Sequence, residues 1–427
     1  MHAATFAIES EDILAKALWW ADQFETACLL HSNSFDDPYA TLNSLLAVGI
    51  RHEFIANGDN TFSEIQAFQT KHPQEWMLGF FGYDLKKETE NLPTILPDHL
   101  AFPDAYFFIP ETILTFEQGE LTIQSVQKPD DIFESIVKAK PDFSFVKLDR
   151  PFQKRMTKAG YMQAFEALKE HIRRGDIYEV NLCQEFFQEE CNIHPLSAYW
   201  ELNRVSPMPF STFFKMHQHY ILSASPERFV AKRGDILLSQ PIKGTAKRGQ
   251  NMEEDQQIIR RLQNDPKEQA ENVMIVDLVR NDLTRSAKPG SVAAERKPQV
   301  HTFPQVHQLI STITCEIDPE IPALDAIKNV FPPGSMTGAP KVSAMKLCDR
   351  YEASKRGVYS GAFGYFSPNG DFDFNVVIRT LLYNQKSGYL SFHTGGAITI
   401  DAMAEREYEE CLVKAQGILN ALGTEIE

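Results

Sequence analysis

Two hydrophobic periods run through the chain and separate its elements. Tyr161, Phe165, Leu168 and Ile172 recur three or four apart, which predicts a helix with one buried face, and Gly175 ends it. Residues 177–183 alternate instead: Tyr178, Val180 and Leu182 face one way, Glu179, Asn181 and Cys183 the other. Strands are predicted at 211–216 and 220–223, and helices from about Glu253 and Glu268. Residues 76–83 read as an aromatic strand whose glycines let backbones approach closely. Asn369-Gly370 marks a hairpin turn, and residues 372–380 alternate, with Asp373, Asn375, Val377 and Arg379 on one face. The last helix carries the apolar stripe Tyr408, Cys411, Leu412, Ala415, Ile418 and Leu419. The pattern predicts an α+β protein with large, mostly antiparallel sheets and helices packed against them.

Residues 1–145 form a β-rich region punctuated by Pro93, Pro97, Pro103 and Pro110; a basic, polar connector precedes a second region, 155–427. With 427 residues, 43% hydrophobic and 23% charged, the composition is that of a globular protein. A net charge of -16 argues against nucleic acid or an anionic membrane as partner. Glu9, Glu11 and Asp12 stand where a signal peptide needs basic residues, and no apolar run is long enough for a bilayer. Six scattered cysteines without a C-x-x-C pair predict reduced thiols in a cytoplasmic protein and no zinc site.

Candidate chemistry sits on four stretches. Through 238–245 an apolar strand meets Pro241, which has no N–H for a ladder, and Lys243 follows between Ile242 and Gly244. Such a lysine is either an ordinary surface residue or, under cover, a desolvated amine that loses its proton readily and acts as a nucleophile. Glu268 and Glu271 lie three apart on one helix; Glu407 and Glu410 do so on the last helix, bordering its apolar stripe with Lys414. Each pair is a solvated face or, if the two pairs meet, a site for Mg²⁺, which hard carboxylate oxygens select. Residues 332–341 make a glycine- and hydroxyl-bearing loop that opens a helix at Pro340, and residues 394–397 read as a second tight turn. Arg379, on an otherwise apolar strand, needs an anionic partner, a salt bridge or a ligand. His307 is a lone strand histidine, core residue or ligand.

Together these segments resemble the chorismate-utilising enzymes, the family of anthranilate synthase component I, aminodeoxychorismate synthase component I, isochorismate synthase and salicylate synthase. The resemblance covers about residues 161–422 and rests on Gly175-Asp176-Ile177-Tyr178-Glu179-Val180-Asn181-Leu182, Ser225-Pro226-Glu227-Arg228-Phe229, Pro241-Ile242-Lys243-Gly244-Thr245, residues 271–282, 334–341 and 356–380, and Gly395-Gly396-Ala397, in the family's order. It implies two intertwined α/β halves around a central cleft. It implies Mg²⁺ held by Glu271 and Glu410, with Glu268 and Glu407 as further or water-mediated partners. Arg379, Tyr365 and the Gly395-Gly396 backbone resemble the groups that hold the substrate's side-chain carboxylate, and His307, Ser335, Thr245, Glu179 and Asn181 complete the substrate-binding set. Glu227 matches the general acid that protonates the departing hydroxyl, for which burial must keep it protonated.

Within the family, Pro-Ile-Lys-Gly-Thr resembles the aminodeoxychorismate branch, where anthranilate synthases show Pro-Ile-Ala-Gly-Thr. The implied role of Lys243 is to attack the ring carbon beside the carboxylate-bearing carbon, held dry and uncharged. Ammonia then displaces it. Glu179 stands where isochorismate and salicylate synthases carry a lysine base, and where nitrogen-transferring branches commonly carry glutamine. No glutamine amidotransferase pattern is present, so ammonia is expected from solution or from a separate glutaminase subunit. Anthranilate synthase component I, isochorismate synthase and a non-catalytic chorismate-binding subunit are the rival readings.

Overall fold

The alternating stretches become two large antiparallel sheets and a small third. The computed structural model describes residues 1–8, 12–56, 58–117, 119–295 and 297–427, so the Glu9 and Glu11 signal lies outside the described residues. Among the described residues, the first sheet has 12 strands. From one edge it runs His2–Ala7, Glu120–Ser125, Thr112–Glu117, Ser44–Val48, Thr26–His31, Phe210–Met216, His219–Ser225, Thr380–Asn384, Tyr389–Ile398, Glu179–Gln188 and Gly338–Ala339, with Gln153–Lys154 added on Glu179–Gln188. The second has nine: Ala293–Ala294, Ile313–Glu316, Ile236–Gln240, Arg228–Arg233, Phe372–Val376, Ala362–Phe366, Met77–Phe81, Ala105–Ile109 and His52–Ile55. Ile242–Lys247, Val306–Ile310 and Gln299–Thr302 make the third. Both large sheets draw strands from either side of residues 145–155.

The two large sheets pack face to face over a phenylalanine-rich core that includes Phe80, Phe81, Phe107, Phe214 and Phe374. Burying each such ring contributes roughly 1.5–3 kcal/mol. The other face of the first sheet is covered by the helices Ile13–Ala21, Pro195–Val205 and Ala404–Leu422. Hence Ser44–Val48 is buried throughout, with Leu45 and Ala47 in one core and Leu46 and Val48 in the other. Gly79 sits where a Cβ would lie 1.9 Å from the Tyr106 carbonyl oxygen, the close approach its strand predicts. The helix Lys158–Arg173, capped by Thr157, packs on Val180 and Leu182 through the stripe read from its period. Gly370, at φ 83°, turns the hairpin between Ala362–Phe366 and Phe372–Val376. All six cysteines are buried and free of disulfides. Among the described residues, no helix is long and apolar enough to cross a membrane.

The chain passes repeatedly between sheets, and three of these crossings carry candidate residues. It leaves the first sheet at Ser225 and enters the second at Arg228, with Glu227 between. It leaves the second at Gln240 and enters the third at Ile242, Pro241 being the break, two residues before Lys243. It returns to the first from Val376 to Thr380, with Arg379 between. The continuous strand expected over 372–380 is therefore two strands in different sheets: alternation survived the break, but Arg379 stands outside both, at φ 53°. The turn expected at 394–397 is also corrected. Gly395 and Gly396 lie inside the strand Tyr389–Ile398, opposite Cys183 and Leu182. Those glycines answer to crowding, because a Cβ on Gly395 would lie 2.5 Å from the Leu182 carbonyl oxygen.

Candidate active site

Lys243 stands on a β-bulge. Ile242 pairs with Ile310 and Thr245 with Gln308, so Lys243 and Gly244 face Leu309 alone and the backbone bows outward. Gly244 takes φ 93°, and a Cβ there would lie 2.8 Å from Glu268 Oε2, so what approaches the missing side chain is a carboxylate. Asn272, on the helix Pro266–Thr284, donates to the Lys243 carbonyl at 3.1 Å and is itself held by Ser311. Lys243 Nζ lies 2.5 Å from Glu179 Oε1. Burial works to lower the pKa of this ammonium, but Glu179, Glu271 and Glu227 together outweigh it and raise it above the ordinary lysine range. Burial alone would favour the expected uncharged amine, but the carboxylates around Lys243 favour its protonated form.

Glu179 and Asn181 point from the strand Glu179–Gln188 toward the site, as alternation predicts, while Val180 and Leu182 enter the core behind. Asn181 Nδ2 donates to the Ser335 carbonyl at 3.0 Å, and its buried Oδ1 has no hydrogen-bond partner. The loop bearing Ser335 is pinned to this strand: Gly338 and Ala339 pair with Val180 and Glu179, and the helix begins at Lys341, one residue past Pro340. Arg356, fully buried, donates to the carbonyls of Met336 and Asn181 and pairs with Glu352. Neither Arg356 nor Asn272 was singled out from sequence; a buried arginine joining two site segments has no local signature.

Glu227 is buried and its carboxyl is pushed up to about 7 by desolvation, partly offset by hydrogen bonds from Ser335 and the Ile242 N–H and by the charges of Lys243 and Lys414. A carboxyl so placed holds its proton near neutrality, as a general acid must. It shares a cavity with Ser335, Gly334 and Pro241.

The two glutamate pairs, on the helices Pro266–Thr284 and Ala404–Leu422, are close enough to act on one another electrostatically. Burial and Glu410 push Glu407 up to about 7, with Glu271 adding to the rise; burial and Glu271 raise Glu268. Burial works against the charge of Glu410, yet Lys414, 2.7 Å away, prevails and lowers its pKa. Lys267 is drawn in as well, 3.6 Å from Glu271, its pKa raised by all four carboxylates against the cost of burial. Gly396 is open because a Cβ there would lie 2.8 Å from Glu407 Oε2. As the side chains stand, no three acidic, histidine or cysteine groups among the described residues converge tightly enough to chelate a metal. Two lysine ammonium groups offset part of the cluster's charge. In charge and donor chemistry, four carboxylates gathered on two helices, two of them raised by their neighbours, fit a hard divalent cation.

Arg379 donates to the Lys414 carbonyl at 3.2 Å and, among the described residues, makes no salt bridge, so the structural ion pair weighed above is absent. Burial lowers its pKa, with Tyr359 and Glu410 opposing. Lys414 also donates to the Gly395 carbonyl at 2.7 Å. The ladder between Thr380–Asn384 and Tyr389–Ile398 reaches only Leu381 opposite Phe392, which leaves the edge of Gly395 and Gly396 on that side beyond its end, near Arg379.

Three expected residues lie elsewhere. Tyr365 hydrogen-bonds Thr41 at 2.8 Å and lines a separate cavity with Asp37, Phe210 and Asp373 that none of the residues above reaches. Its strand belongs to the second sheet, one strand removed from the crossing. His307 is fully buried, with its ring nitrogens bonded to Thr302 at 2.9 Å and Asp255 at 3.0 Å, which is the satisfied core histidine. Thr245 is exposed, two residues past Lys243 beyond the bulge.

The interleaved sheets and a site built at their crossings define the class. A family model for chorismate binding enzymes matches residues 17–420, and the chain belongs to that family of chorismate-utilising enzymes. It is 37% identical over 348 residues, 81% of this chain and 76% of the other, to aminodeoxychorismate synthase component 1 of Salmonella typhimurium. It is 34% identical over 367 residues, 81% of this chain and 73% of the other, to anthranilate synthase component 1 of Cereibacter sphaeroides. The crystal structure of anthranilate synthase component I from Streptococcus pneumoniae superposes with a TM-score of 0.76 at 26% identity, covering 90% of this chain and 95% of that one. The expected fold is the one found.

Proposed function

We propose that the chain converts chorismate and ammonia to 4-amino-4-deoxychorismate, the precursor of p-aminobenzoate in folate synthesis. The observation that carries this reading is Lys243 Nζ on its bulge, facing Glu179, Glu227 and Glu271. A lysine there supplies a nucleophile on a fixed backbone, and covalent catalysis then divides one displacement into two. Glu227 protonates the departing hydroxyl. Arg379, without a carboxylate partner among the described residues, receives the side-chain carboxylate. Glu271 and Glu410, with Glu268 and Glu407 beside them, would hold Mg²⁺, which would add to the charge balance that Lys267 and Lys414 provide. The ion supplies charge neutralisation at the ring carboxylate when bound. Ammonia comes from a separate glutaminase subunit, in keeping with the component 1 names of the relatives.

Incubation with chorismate, Mg²⁺ and an ammonium salt tests the reading. The expected product is non-fluorescent and yields p-aminobenzoate only after a lyase is added. Fluorescent anthranilate would make the chain an anthranilate synthase, turnover without ammonia an isochorismate synthase, and no turnover a binding subunit.

Metal removal gives a second expectation. Excess chelator stops turnover, and Mg²⁺ raises the melting temperature of the protein more at about pH 8 than at about pH 6. The sign follows from Glu407, which keeps its proton below about 7 and must lose it before the cluster takes a cation. Differential scanning fluorimetry checks this; an equal rise at both pH values would argue against the cluster.

A further inference from the structure

An ammonium cannot attack a ring carbon, so a nucleophilic Lys243 needs a proton acceptor. Four carboxylates act on it: Glu179 from the strand Glu179–Gln188, Glu271 from the helix Pro266–Thr284, Glu227 from the crossing, and Glu410 from the helix Ala404–Leu422, which is engaged by Lys414 at 2.7 Å. Glu227 is buried and must keep its own proton for the leaving oxygen. Glu271 is engaged by Lys267. Glu179 touches the amine at 2.5 Å, and the two side chains are 9% and 11% exposed. It makes no other ion pair or side-chain hydrogen bond among the described residues. Its backbone is paired with Ala339 and closely packed, since a Cβ on Gly338 would lie 2.2 Å from the Glu179 carbonyl oxygen.

We propose that Glu179 takes the proton of Lys243 as the lysine attacks, keeps it through the covalent stage, and returns it when the amine departs. This rests on the reading of Lys243 as nucleophile. The proton passes from Nζ to Glu179 Oε1, and the freed lone pair forms the bond to the ring carbon beside the carboxylate-bearing carbon. The ring double bonds shift, the carbon–oxygen bond breaks, and the oxygen takes the Glu227 proton and leaves as water. The adduct nitrogen then carries two hydrogens and a positive charge. Ammonia bonds to the carbon the oxygen left, and the bond to Lys243 breaks with its electron pair returning to Nζ. The neutral amine recovers its proton from Glu179, and the new ammonium group on the ring gives its extra proton to Glu227. Each group ends as it began.

Glutamine at 179 keeps a hydrogen-bond acceptor but has no basic site, so Glu179→Gln isolates the proton. In the wild type the transfer is internal and needs no proton lost to solvent. In the variant Lys243 must release its proton to water before each attack. At about pH 7, kcat/KM for amination is expected to fall about 10²-fold. The ratio of wild type to variant then shrinks about tenfold per pH unit as pH rises toward about 9, and Glu227 cancels in that ratio because it acts on both. Glu179→Asp keeps a carboxylate and is expected to keep the ratio to wild type independent of pH. In the substrate-free protein, Lys243 of the Gln variant is expected to acylate faster at about pH 8, read by peptide mass mapping, since the carboxylate that held its proton is gone. A Gln variant with a pH-independent ratio near one, still forming the aminated product, would overturn the role of Glu179 alone. A product other than 4-amino-4-deoxychorismate would overturn the proposed function, whatever the ratio did.

Discussion

Lys243→Ala is expected to lower formation of the aminated product by about 10³-fold or more, with the circular-dichroism spectrum unchanged. No other amine can replace it. Lys414 is tied to Glu410 and the Gly395 carbonyl, and Lys267 lies among the glutamates on the neighbouring helix. The fold survives because the bulge is set by Gly244 and by the Asn272 bond to the Lys243 carbonyl, both of which an alanine keeps. Lys243→Arg separates chemistry from charge. A guanidinium keeps the ion pair to Glu179 but stays protonated at any working pH, so it is expected to be as inactive as alanine. Quantifying product by chromatography after single turnovers checks both variants. Wild-type rates in either would end the covalent reading.

The second large effect is at Glu227. Glu227→Gln is expected to reduce kcat by about 10²–10⁴-fold, because the amide keeps the shape and loses the proton to be given. Burial pushes the Glu227 carboxyl up to about 7, so the donating form is full below that pH and disappears above it. Wild-type activity therefore carries a falling limb near pH 7, and the variant lacks it. The same shift has a stability sign. A carboxyl raised in the folded state favours folding at acid pH and loses that contribution as pH rises through about 7. The rise from 4.5 corresponds to on the order of 3 kcal/mol. Denaturant titrations at about pH 5 and pH 8 should show the wild type losing more stability than the glutamine variant; equal losses would contradict a buried, protonated Glu227.

Much of the site could be read residue by residue because strand and helix periods are local. Alternation placed Glu179 and Asn181 opposite Val180 and Leu182, and spacing placed Glu407 and Glu410 beside the stripe of the last helix. The errors share a cause. Alternation at 372–380 carried through a crossing, because the residues on each side still alternate while changing sheets. Glycines at 395 and 396 looked like turn residues, yet the demand on them comes from the Leu182 backbone and the Glu407 carboxylate, more than two hundred residues and about ten residues away respectively. Tyr365 and His307 carry suitable groups, but Thr41, Thr302 and Asp255 had already claimed them.

By itself the sequence determined the elements, the faces they present and the residue types available for chemistry, since these follow from steric and hydrophobic preferences acting over a few residues. Tertiary structure alone decided which of those groups meet and in what protonation state. Lys243 shows why: burial considered by itself strips its proton, whereas carboxylates contributed by a strand, a helix and a crossing far apart in the chain restore it. Coulomb energy depends on distance in space, and no local pattern records that distance.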